Sequence, residues 1–172
     1  MNPIEKVAAK VAGKTANVQA RFKGLTGVFA KLAEQHHEAG ALLSSAADTD
    51  DYTKRSDLWR VIRKELMSHE QAELQEIYPV IEGYAQARDI AIRHAGHASE
   101  LETLIQHLDA IAVQSDEWKP ALDRLIAKVK EHVEKEEDDF FPRAQEILGE
   151  DRIKKLEDPY LRSQERVKER IG

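Results

Sequence analysis

The chain has 172 residues, no cysteine, a net charge of −6, and only eight Gly and five Pro amid abundant Ala, Leu, Glu and Lys. That length fits one domain burying about 70% of its unfolded surface, and the missing cysteines exclude disulfides, thiolate metal sites, iron–sulfur clusters and cysteine nucleophiles. The acidic balance argues against nucleic acid as a partner. No run nears the ~18 apolar residues of a membrane span and nothing resembles a secretory signal, so a cytoplasmic protein without membrane contact is expected.

The composition favours an all-helical fold. Residues 1–31 carry six Lys/Arg and one acid, which leaves the rest of the chain at net −11. Within this basic stretch Ile4, Val7, Val11, Val18, Phe22 and Leu25 recur at roughly helical spacing, with Gly13 and Gly24 as interruptions. A leading helical segment over 1–24, folded onto the rest, is favoured over a membrane-surface or targeting helix.

Four apolar stripes at 3–4 spacing follow. The first is Leu25, Phe29, Leu32, His36, Ala39, Leu43; the polar stretch Ser44 to Arg55 then reads as a loop. The second is Leu58, Ile62, Leu66, His69, Glu73, Ile77, Val80. The third is Ile90, His94, His97, Leu101, Leu104, Leu108, Ile111, and it breaks at Gln114 to Asp116, with Ser115 as an N-cap. The fourth is Leu122, Leu125, Val129, His132, Glu136, Phe140, Ala144. Pro79 and Pro142 are expected to kink or end their helices, and Gly149 to act as a C-cap. Beyond it, residues 149–172 suggest two shorter helical patterns split at Asp158-Pro159. The expected architecture is all-α: an antiparallel four-helix bundle over 25–148 with extra N-terminal and C-terminal helical segments.

Each stripe carries a His in its middle. A buried polar group without a partner costs about 1–3 kcal/mol, and a buried carboxylate costs more unless paired or metal-bound. Those losses would consume much of the ~5–15 kcal/mol that holds a domain folded. A lone core His is more often hydrogen-bonded than ligating, and His37 and His107 sit one position off their stripes, facing solvent. Convergence favours a metal site at His36, His69, Glu73, His94, His97, His132 and Glu136. His69-x-x-x-Glu73 and His132-x-x-x-Glu136 lie 63 residues apart, and each is followed at the same offset by an aromatic-proline pair, Tyr78-Pro79 and Phe141-Pro142. At i and i+4 an imidazole and a carboxylate share one helix face. In the acidic run Glu134 to Asp139, only Glu136 aligns inward. Five imidazoles and two carboxylates exceed the needs of one structural zinc. They fit two ions bridged by Glu73 and Glu136, and the nitrogen and oxygen donors suit iron, with manganese behind. Ferritin-like bundles use two Glu-x-x-His motifs; Glu34-Gln-His-His37 is the sole match here.

Glu34-Gln-His36, His69-x-x-x-Glu73 with Tyr78-Pro79, a third-helix His, and His132-x-x-x-Glu136 with Phe141-Pro142 together make residues 25 to 148 resemble the hemerythrin-like, or HHE cation-binding, family. The resemblance implies a four-helix bundle around an oxo- or hydroxo-bridged centre of two iron ions. In it His36, His69, His132 and the third-helix His are terminal ligands, while Glu73 and Glu136 bridge. The family's oxygen carriers place two His four apart on the third helix; this chain offers His94 and His97, three apart, and both stand as candidates. Five His and two bridging carboxylates leave one iron a vacant position. The expected function is a non-haem di-iron protein that binds dioxygen, peroxide or nitric oxide for storage, sensing or detoxification. The alternatives are an oxidase- or peroxidase-type di-iron enzyme and an iron- or oxygen-sensing module read by a partner protein.

Overall fold

The computed structural model describes residues 23–172. Its elements are α1 (Gly27–Asp48), α2 (Tyr52–Glu76), α3 (Tyr78–Glu82), α4 (Arg88–Asp109), α5 (Trp118–Lys135), a π-helical turn (Glu136–Phe140), α6 (Phe141–Leu148) and α7 (Glu150–Ile171). No strand occurs among the described residues, and no helix there is long and apolar enough to cross a membrane. The basic segment expected over 1–24 lies outside the described residues up to Phe22. Gly24, just beyond, has φ +72°, a conformation that suits glycine and interrupts a helix.

Helix α1 lies against α2 and α5, and α4 against α5 and α2, which closes a four-sided bundle. The inward stripes are the ones read from spacing, except that Leu104, Ile111 and His97 are half-buried and Val80 is exposed. Buried apolar side chains fall into two clusters. One, around Phe29, Ile77, Tyr78, Phe140, Phe141 and Tyr160, fills one end of the bundle. The other, around Leu43, Trp59, Ile62, Leu108, Trp118 and Leu125, fills the other end. His36, His69, His94 and His132 come at the boundary on each helix, so a polar layer divides the core.

Three boundaries differ from the sequence expectation. The loop expected from Ser44 to Arg55 shrinks to Thr49–Asp51, because α1 continues to Asp48 and Asp51 caps α2 by accepting a hydrogen bond from the Lys54 N–H at 3.0 Å. Buried Ala46 gives α1 a reason to continue through its polar end. Ser115 does not cap α5, which starts at Trp118 after Glu117; its hydroxyl instead accepts from the Glu117 N–H, in the turn before the helix. The C-terminal residues do not split at Pro159. They form one helix, α7, that runs through the proline. Ile153, Leu156, Tyr160, Ser163, Gln164 and Val167 are buried where α7 lies along α2 and α1, and that packing outweighs the backbone hydrogen bond lost at Pro159. Gly149, at φ +76°, ends α6 as expected.

Candidate metal centre

Glu136 sits at the middle of the polar layer, fully buried. Its Oε2 stands 3.1 Å from His36 Nε2 and its Oε1 stands 3.1 Å from His132 Nε2, so one carboxylate faces imidazoles from two different helices. Tyr78 donates its hydroxyl hydrogen to Oε1 at 2.8 Å. On the His36 side, the Nε2 atoms of His36 and His69 are 3.1 Å apart, and Glu73 Oε2 is 3.5 Å from His69 Nε2. On the His132 side, Glu70 Oε1 is 3.3 Å from His132 Nε2.

His94 stacks on Phe140 at 4.7 Å and lies 6.3 Å, ring to ring, from His132. His97 stands behind it at 5.8 Å, half-exposed. His107 is exposed, and His37 is half-buried beside the inward His36. Four groups of three donors have their ligand atoms mutually within 4.8 Å: His36, His69, Glu136; Glu73, His132, Glu136; His69, Glu70, Glu73; and His94, His97, His132. All seven residues singled out by spacing are therefore drawn into one layer, His97 at its edge.

Burial and neighbouring charge shape the protonation of the metal-free layer. Burial alone would lower His132, but Glu136 and Glu70 push it up to about 12. Burial likewise opposes His36, which Glu136 and Glu137 raise to about 8. Desolvation lowers His94 to about 4 and, with the neighbouring His36, holds His69 well below the ordinary histidine value. Glu73 is pushed well above the carboxylate range by burial and by Glu136 and Glu70. Against its own desolvation, His132 and His36 hold Glu136 well below that range.

The chemistry of the donor set fits a cation. Both oxygens of Glu73, Oε2 of Glu70 and of Glu136, Nδ1 of His94 and both ring nitrogens of His132 are buried without a hydrogen-bond partner; the close approaches of Glu136 to His36 and of His132 to Glu136 and Glu70 are not directed as hydrogen bonds. Native interiors rarely leave such atoms orphaned. Ligand atoms ~2.1 Å from a metal and at right angles are ~3.0 Å apart, close to the 3.1 Å spacings around Glu136.

Two carboxylates in this layer were not expected. Glu137, read as part of a solvated acidic face, is 4% exposed; its Oε1 lies 2.9 Å from His36 Nδ1 and its Oε2 accepts from Lys23 at 2.8 Å. The π-helical turn brings Glu136 and Glu137 inward together: the Phe141 N–H bonds back to the Glu136 carbonyl, five residues earlier. Uniform helical spacing misses that widened turn. Glu70 is off the i, i+4 pattern of His69, yet its position three residues before Glu73 was a signal available in the sequence. A cleft of about 570 Å³ reaches His36, His69 and His132, lined by Leu42, Leu66, Val129 and Val133, with Lys64 and Lys168 at its outer end.

Comparison with known proteins follows the same layer. A protein from Nostoc sp. (strain PCC 7120), described as a DNA nickase, is 22% identical over 137 residues, covering 80% of this chain. The chain spans 39% of the length of that curated relative. No solved structure matches the chain. The family model of the hemerythrin HHE cation-binding domain matches residues 27–144, the stretch that contributes every histidine and carboxylate described above, and the chain belongs to that family.

Proposed function

We propose that the polar layer holds two iron ions and that the protein takes up dioxygen or a related small ligand, peroxide or nitric oxide, for storage, sensing or detoxification. The observation that carries this reading is the position of Glu136, whose two oxygens face His36 and His132 separately, next to Glu73 with neither oxygen partnered. His36 and His69 would serve one ion, His94 and His132 the other, and Glu73 and Glu136 would span both. Glu70 or His97 would complete the second set. Iron bound there would supply a reducible pair of metals with a coordination position open to a small ligand.

The chain's own residues do the rest. Phe140 and Phe141 stack on His94 and His36 and keep water from that side of the layer. Tyr78 holds its proton on Glu136, and the cleft past Leu66 and Val129 offers a path inward. The same site with added turnover would be a di-iron oxidase or peroxidase, and consumption of peroxide or nitric oxide by iron-loaded protein separates the two. The nickase relative supports one further reading, action on DNA, for which nicking of supercoiled plasmid by the metal-loaded protein is the assay.

The main reading is tested by metal analysis with absorption spectra. Reconstituted protein should carry about two iron per chain, as the two-ion layer requires. It should be nearly colourless when reduced without air, and gain near-ultraviolet and visible absorption on exposure to air. A protein that returns from reconstitution without iron sinks the reading.

A further inference from the structure

The metal layer is finished by a residue from outside the matched domain. Tyr160 lies on α7, sixteen residues past the end of the family match, yet it is fully buried against the centre. Its hydroxyl is 3.1 Å from His69 Nδ1 and donates to Gln35 Oε1 at 2.6 Å. The same Gln35 oxygen lies 2.9 Å from His69 Nδ1 and accepts from Gln164 Nε2 at 3.1 Å, while the Gln35 amide donates back to Gln164 Oε1 at 3.0 Å. In this reciprocal amide pair, one member on α1 and the other on α7, it is the Gln35 oxygen rather than its NH₂ that faces the imidazole and the Tyr160 hydroxyl. Three donors then converge on one carbonyl oxygen, and the ring is left to donate from Nδ1. Its Nε2 lone pair faces His36 and Glu73.

Resting on the two-metal reading above, we infer that Tyr160 and Gln164 of α7, acting through Gln35, are positioning residues that lock His69 as the Nδ1–H tautomer and present its Nε2 to the metal. A ligating imidazole commonly gives its other N–H to a carbonyl or carboxylate, which orients the ring and raises its basicity. His36 obtains this support within the bundle, from Glu137. His69 obtains it from Gln35 of α1, which Tyr160 and Gln164 of α7 hold in turn. Ring packing explains the burial of Tyr160, but not the aim of its hydroxyl or the paired glutamines. If the amide pair were turned end for end, the Gln35 NH₂ would face Nδ1. His69 would then carry its proton on Nε2, against the metal.

The test uses the full chain and two readouts. Imidazole ¹⁵N shifts of the metal-free protein should show His69 as the Nδ1–H tautomer, and Gln35→Met should mix the two forms. Co²⁺, a spectroscopic stand-in for ferrous iron, should bind Tyr160→Phe and Gln35→Met about tenfold or more weakly than wild type, with a shifted visible band. Metal-free Tyr160→Phe should melt close to wild type, because its ring is kept, and Gln35→Glu, which retains an acceptor oxygen, should restore Co²⁺ binding. An Nε2–H tautomer in the wild type overturns the inference. So do wild-type Co²⁺ affinity and spectrum in both Tyr160→Phe and Gln35→Met. A wild type with the expected tautomer that binds neither Co²⁺ nor iron instead removes the metal reading and, with it, this role.

Discussion

Glu73 has a carboxylate at the centre of the bundle and no hydrogen-bond partner for either oxygen. Without metal, burial and the neighbouring Glu136 and Glu70 keep it protonated well above the ordinary carboxylate range. It is then a polar group stranded in the core, worth about 1–3 kcal/mol of lost stability. Leucine has similar bulk and no polar atom. Glu73→Leu should therefore raise the unfolding free energy of the metal-free protein by about 1–2 kcal/mol in urea titrations, while metal no longer shifts the curve. A metal-free Glu73→Leu protein less stable than wild type would mean that this carboxyl has a partner in the folded chain. His36 shows the opposite case: its ring stacks on Phe141 at 5.8 Å, 12° from parallel, and its nitrogens meet Glu137 and His69.

At the scale of elements, the π-helical turn between α5 and α6 decides the site. It places Glu136 between two histidines, Glu137 under His36, and Phe140 and Phe141 on His94 and His36. Pro142 follows at the first turn of α6, where its missing N–H is tolerated. Deleting Asp138, which is exposed and outside the layer, should close the turn to an ordinary helix. Five residues of π-helix and four of α-helix turn the chain by nearly the same angle, so α6 would keep its face and the change would fall inside the turn, drawing Glu137 away from His36. The expected result is a loss of about 1–3 kcal/mol, the scale of a buried hydrogen bond to a charged group. Metal uptake should fall with it, read by thermal melting and metal analysis. Asp138→Ala, which keeps the turn, should leave both nearly unchanged. Helix α7 matters at the same scale, because its packing through Pro159 carries Tyr160 to His69.

For the whole molecule, a metal seated in the layer as proposed would compete with protons for the same atoms. In the metal-free fold His36 is raised to about 8 and His132 to about 12. A histidine raised by folding stabilises fully below its ordinary value of 6.5, and that contribution fades as pH climbs through the folded value. Glu73, raised as an acid, destabilises above its ordinary carboxylate range, in the same direction. His69 and His94, both lowered, exact their penalty only below about 6.5. The metal-free protein should accordingly melt lower at about pH 8.5 than at about pH 6.5. A metal held there would need those nitrogens and oxygens deprotonated, so its uptake should release protons and strengthen as pH rises. The gap between metal-loaded and metal-free melting temperatures should widen over the same interval, measured by calorimetry with and without Co²⁺. A gap that narrows would place the metal away from His36 and Glu73.

The sequence by itself determined the helical class, the four inward stripes and the central donors, because burial repeats every three to four residues and an imidazole in such a stripe is visible as an interruption. It also placed His69 with Glu73 and His132 with Glu136, since i and i+4 share a face whatever the rest of the chain does. What the tertiary structure decided depends on departures from that period or on contacts between distant elements. The π-helical turn put Glu137 beneath His36, although uniform spacing sends it to solvent. Packing against α1 and α2 carried α7 through Pro159 and set Tyr160 against His69, 91 residues away in the chain. Local periodicity follows from backbone geometry alone, whereas which side chain supports a given imidazole is fixed only when separate helices meet.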